Sequence, residues 1–84
     1  MENNFLQTVN SRFRVCLVTE ELVLLSNRLS VAAATIDNNT LDDEAKRALV
    51  HELRIIRSEY IKSEYPLKWE VFRLLCQMES AVRK

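Results

Sequence analysis

From Val15 to Ile36 the apolar residues fall at Val15, Val18, Leu22, Leu25, Leu29, Ala32 and Ile36. The steps alternate between three and four, which places every one of them on the same side of an α-helix. A second, weaker seam runs through Leu6, Phe13, Leu17, Leu24 and Val31, with Glu20 and Asn27 interrupting it at the same period. Neither glycine nor proline intervenes, so the pattern predicts one helix over about 4–36, capped by Asn3 or Asn4. At about 1.5 Å per residue such a rod is about 45 to 50 Å long.

The run Asp37-Asn38-Asn39-Thr40 ends it, because these side chains hydrogen-bond nearby backbone and tolerate turn geometry. Thr40 then reads as the N-cap of a second helix over about 41–64, with Asp43 in a capping-box-like position and Asp42 to Glu44 placed well against the helix dipole. Its apolar stripe is Ala45, Leu49, Leu53, Ile56 and Tyr60, flanked by Leu41 and Ala48, with Ile55 and Ile61 off the stripe. The short connection predicts an antiparallel pair, this stripe lying against the Val15 to Ile36 seam.

Pro66 disfavours helical geometry at Tyr65 yet suits a first helical turn, so Ser63 to Pro66 reads as a junction with a change of direction. A third helix follows over about 66–82, with Leu67, Val71, Leu74, Leu75, Met78 and Val82 on one side and Trp69, Phe72 and Cys76 toward another. No repeat or linker divides residues 1–84, which reads as one helical domain. The expected fold class is all-α: a long antiparallel hairpin plus a shorter third helix, forming a helical bundle on oligomerisation.

Composition supports the helical reading and narrows the chemistry. In 84 residues there is no glycine and one proline, so tight turns and strand bulges have few places to form. Twelve basic residues balance twelve acidic ones, which removes any general attraction to nucleic acid, anionic lipid or acidic substrate. Cys16 and Cys76 lie far apart without neighbouring metal-ligand residues, and are expected to be buried free thiols. The amino terminus lacks a basic start, and Arg12, Arg14, Glu20 and Glu21 divide the most hydrophobic region into pieces too short for a membrane span. Cytosol or nucleus is the expected location. The polar positions of the first helix lack the Lys/Arg-rich face of a membrane-surface helix.

Candidate chemistry is sparse. His51-Glu52 resembles the start of a zinc-protease helix, but Ile55 stands where the second ligand belongs. No nucleophile, base and acid set and no phosphate-cradling loop can be assembled. The expectation is a protein that is not an enzyme, with no metal, cofactor or small-molecule substrate.

Two of the helices carry more apolar surface than a hairpin can cover, and burying each Leu or Val contributes roughly 1.5 to 3 kcal/mol. The sequence therefore predicts an assembly or adaptor module, a homodimer or a subunit of a larger complex. Its expected interface is Leu6, Phe13, Leu17, Leu24, Asn27, Val31, Trp69 and Phe72, a coiled-coil-like seam in which a polar residue fixes register. Trp69, Tyr60 and Tyr65 gather around Pro66, either closing a core or forming a binding hot spot.

The competing expectation is a small nucleic-acid-binding regulator using a basic strip of Arg47, His51, Arg54, Arg57 and Lys62. Against it, no aromatic residue interleaves that strip for base stacking. The strip also reads as a solvated face supported by Asp43 with Arg47, Glu59 with Lys62 and Glu64 with Lys68.

Overall fold

A computed structural model describes residues 4–38 and 40–83. These residues are helical without strands, in four elements: α1 (Phe5–Arg12), α2 (Glu20–Asn38), α3 (Asp43–Lys62) and α4 (Lys68–Arg83).

The main departure from expectation is that the first predicted helix is two. Residues 13–19 leave the helix, and α1 folds back along α2. Val15, Val18 and Thr19 are β-branched and lose rotamer freedom in a helix, while Thr19 offers an alternative by capping α2: its Oγ1 accepts from the Leu22 N–H at 3.1 Å. The reversal also buries Val9 and Phe13 in the core of the same molecule. In a lone chain a continuous rod would have held both out in solvent. The described residues instead span 35 × 22 × 19 Å. Val15 and Val18, the first two positions of the predicted seam, lie in the connector and are exposed.

Helix α1 has eight residues, too few to persist alone in water. Asn4 supplies no side-chain cap, and Asn3 lies outside the described residues. The cap comes from far along the chain: the Asp37 carboxylate accepts from the Phe5 N–H at 3.1 Å and from the Leu6 N–H at 2.9 Å. It satisfies two of the four donors a helix start leaves unpaired and places negative charge at the positive end of the dipole.

Helix α2 buries Leu22, Leu25, Ser26, Leu29, Ala32, Ala33 and Ile36, so the predicted seam is a core stripe from Leu22 onward. Asp37 and Asn38 still belong to it, and Asn39 lies outside the described residues. Asp42, not Thr40, caps α3, with its carboxylate accepting from the Ala45 N–H at 2.8 Å. Thr40 accepts from the Asn38 side-chain amide at 3.2 Å instead. Helix α3 buries Leu49, Leu53, Ile56 and Tyr60 as predicted, but this stripe packs on α4 as well as on α2.

At the junction the Ser63 hydroxyl donates to the Tyr60 carbonyl at 2.6 Å and accepts from the Tyr65 N–H at 3.2 Å. Lys68 Nζ donates to the Ile61 and Ser63 carbonyls at 3.3 and 3.1 Å, a cationic cap on the end of α3. Pro66 and Leu67 form a turn, and α4 begins two residues later than predicted. It buries Val71, Leu74, Leu75, Met78 and Val82. Both cysteines are exposed, contrary to expectation: Cys16 sits on the connector and Cys76 on the outer side of α4.

Candidate interaction surface

Helix α2 has its core stripe on one side and an unusual outer side. Between Leu22 and Ile36 its only charged residue is Arg28. The Arg28 guanidinium is already paired with Glu52 of α3, Nη2 to Oε1 at 2.9 Å and Nε to Oε2 at 3.1 Å. That bidentate geometry raises the guanidinium pKa through the Glu52 hydrogen bond. On the same outer side Leu24 is 57% exposed and Val31 67% exposed.

The Arg28–Glu52 pair spans a furrow between α2 and α3. On one side of it a concavity of about 530 Å³ is lined by Leu24, Val31, Ala32, Thr35 and Leu49. On the other, a concavity of about 460 Å³ runs along Val18, Leu22, Leu24 and Leu25 toward Glu59 and Lys62. A third, shallower hollow sets Leu6 beside Val31, Ala34 and Thr35. Val31 thus borders a hollow with Leu24 on one side and one with Leu6 on the other.

The other predicted interface residues separate. Phe13 is buried and belongs to the core, and Leu17 is half-buried against it, because the connector turns both inward. Asn27 is exposed and accepts from Arg14 Nη2 at 3.0 Å, so it anchors the connector rather than facing solvent unpaired. Trp69, 58% exposed, meets half-buried Phe72 edge to face at 6.0 Å on α4. That pair is an aromatic patch of α4, apart from the α2 furrow.

The basic strip is divided too. Arg47, His51 and Arg54 border one hollow with Lys46, Val82 and Arg83. Arg54 donates to Glu79 from Nε and Nη2 at 3.3 and 3.2 Å, and Arg83 Nη2 lies 3.5 Å from the same carboxylate. Hydrogen bonding from Arg54 pulls the Glu79 pKa down. Arg57 sits 5.4 Å from the centre of the Phe72 ring and donates to Cys76 Sγ at 3.7 Å. Lys62 lines the α2–α3 furrow, which none of the other four borders. The predicted pairs Asp43–Arg47, Glu59–Lys62 and Glu64–Lys68 do not form among the described residues; the ion pairs found include two between helices.

Pattern reading missed a polar cluster under the connector. Arg14 Nη1 donates to Ser26 Oγ and to Ser30 Oγ, both at 3.1 Å, in addition to its bond to Asn27. Ser26 is fully buried. Close by, Tyr60 and Tyr65 pack with ring centres 5.7 Å apart, and neither buried hydroxyl has a hydrogen-bond partner. Ser26 lies near the Tyr60 phenol but is engaged by Arg14. Burial pushes the Tyr60 pKa well up and Tyr65 adds to this, with Arg14 and Ser26 opposing. Burial raises Tyr65 as well, helped by Cys16 and Glu70. The only sequence signal for the cluster was the run of serines and Asn27 at one helical spacing on α2.

Compared with known proteins, the chain matches no family model, no curated protein and no solved structure.

Proposed function

We propose that this chain is a non-catalytic assembly module, and that the outward side of α2 joins it to a protein partner, in the first instance a second copy of itself. The observation that carries the reading is the pairing of two strongly exposed apolar side chains, Leu24 and Val31, with a helix side whose only charge is neutralised by Glu52. Apolar surface of this kind gains free energy when covered, and Arg28, paired with Glu52, presents no net charge to repel a like partner. A furrow beside the ridge, and Leu6 at its end, give such a partner shape as well as area.

Sedimentation of the pure chain over a wide concentration range tests this. Leu24→Glu and Val31→Glu should each weaken association by on the order of a hundredfold or more with helicity unchanged by circular dichroism. Association that survives both substitutions would overturn the reading. The alternative, phosphate or nucleic-acid docking on α3, has less support, because Arg54 and Arg83 share Glu79 and Lys62 lines a different hollow from Arg47, His51 and Arg54.

A further inference from the structure

The connector between α1 and α2 is under local strain, and its apolar spacing also fits a continuous helix despite its β-branched residues. Cys16 sits at φ 59°, in the left-handed region that a residue with a Cβ occupies only at a cost. Residues 13–19 contain no glycine or proline, and Val15 and Val18 continue the α2 stripe of Leu22, Leu25 and Leu29 at unbroken helical spacing. In the folded-back form Val18 is 81% exposed.

The register of α1 on α2 adds a geometric observation. Phe5 is capped by Asp37, and Arg14 reaches Ser26, Asn27 and Ser30, a group centred on residue 28. Both pairings have residue 21 as their midpoint. Two antiparallel helices of equal rise keep a one-to-one register of this kind along their whole length.

We infer that the chain dimerises by exchanging α1. The connector straightens into helix, α1 and α2 fuse into a single rod over 5–38, and α1 of each copy packs on α2 of the other about a two-fold axis near Glu21. Because the register is one to one, Phe5 and Leu6 meet the second copy's Asp37 again, so the cap that holds α1 in place is re-made between chains, and Arg14, a connector residue that becomes helical in the rod, comes opposite the second copy's segment 26–30. What changes is confined to the connector. Cys16 leaves the left-handed region, the backbone of 13–19 gains helical hydrogen bonds, and Val15 and Val18 come into line with the apolar stripe. Exchange of an identical element through a strained hinge is an economical route to a symmetric dimer. The inference shares with the assembly reading only that the partner is a second copy; it depends on the connector and not on Leu24 or Val31, so association that survives Leu24→Glu and Val31→Glu would set aside the outward side of α2 and leave exchange standing.

The test compares Cys16→Gly with Cys16→Ala in the full chain, each refolded from urea over a range of concentrations and measured by sedimentation. Glycine relieves the folded-back backbone and disfavours the fused helix; alanine does the reverse. Dimer dissociation constants should differ by on the order of a hundredfold or more, alanine tighter, since each dimer contains two hinges. In a mixture of ¹³C-labelled and unlabelled Cys16→Ala chains, isotope-filtered spectra should show α1–α2 contacts between chains. Equal dimerisation of the two variants, α1–α2 contacts only within chains, or a Cys16→Ala chain that stays monomeric would each overturn exchange. A dimer broken by Leu24→Glu but indifferent to Cys16 would overturn exchange while leaving the assembly reading intact.

Discussion

At the scale of single residues, Arg14 does the work that the sequence pattern assigned to a continuous helix. Its guanidinium closes three hydrogen bonds on the side of α2, one of them to a fully buried hydroxyl. Arg14→Ala strands Ser26 without that donor and should cost about 1 to 3 kcal/mol in urea unfolding. Adding Ser26→Ala should restore part of the loss, since removing both partners is cheaper than orphaning one. The tyrosine pair makes the opposite prediction. The Tyr60 hydroxyl is buried without a partner, so Tyr60→Phe should be neutral or raise the unfolding temperature, by up to about 1 kcal/mol of stability. Its effect should depend on pH in a stated direction. Unfolded phenols release protons near the ordinary tyrosine value of 10.0, while the folded phenols of Tyr60 and Tyr65, with raised pKa, remain protonated. The folded state then holds more protons than the unfolded one, and stability, unaffected below pH 10, falls as pH rises above it. Alkaline titration of stability should show a shallower fall for Tyr60→Phe than for the parent chain.

At the scale of elements, α1 depends on a residue thirty-two positions away. An eight-residue helix gains little from propensity, so its cap and its burial of Val9 decide whether it forms. Asp37→Ala should cost about 1 kcal/mol, and the loss should be local: amide hydrogen exchange in α1 should quicken, with α3 and α4 unchanged. The boundaries of α3 and α4 were legible to within two or three residues because Asp42 and Pro66 act on their immediate neighbours. The break at 13–19 was not legible. Its residues carry no strong helix-breaking signal, and the gain that drives it, the burial of Val9 and Phe13 against distant residues, is not a property of the segment. The same reasoning explains why Thr40 was a poor guess for the cap: both Thr40 and Asp42 suit the role locally, and only the path of the chain from α2 chooses between them.

At the scale of the whole molecule, apolar excess and charge are both redistributed by folding. Helical spacing puts the second seam on one interface, yet the fold divides it, taking Phe13 into the core, half-burying Leu6 and Leu17, and leaving Leu24 and Val31 outside. What remains is smaller than the sequence implied and lies on one side of α2. The basic strip likewise breaks up, as Glu79 of α4 reaches across to Arg54 and Lys62 lines the furrow toward α2. A charge on a neighbouring helix cannot be read from the strip's own helix. Glu79 is only 17% exposed and holds both Arg54 and Arg83, but the arginines are half exposed, so Glu79→Gln should cost no more than about 1 kcal/mol in urea unfolding.

By itself the sequence determined that this chain is helical, about where the helices of its second half lie, and which residues of their main apolar stripes are buried, because those outcomes follow from periodicity and from capping groups a few residues apart; Cys76, off the stripe, was not among them. Tertiary structure decided that the first helix folds in two, that an aspartate at the far end of α2 caps α1, and which apolar positions stay in solvent. Each of these depends on contacts between residues distant in sequence, whose free energy exists only once the helices have met.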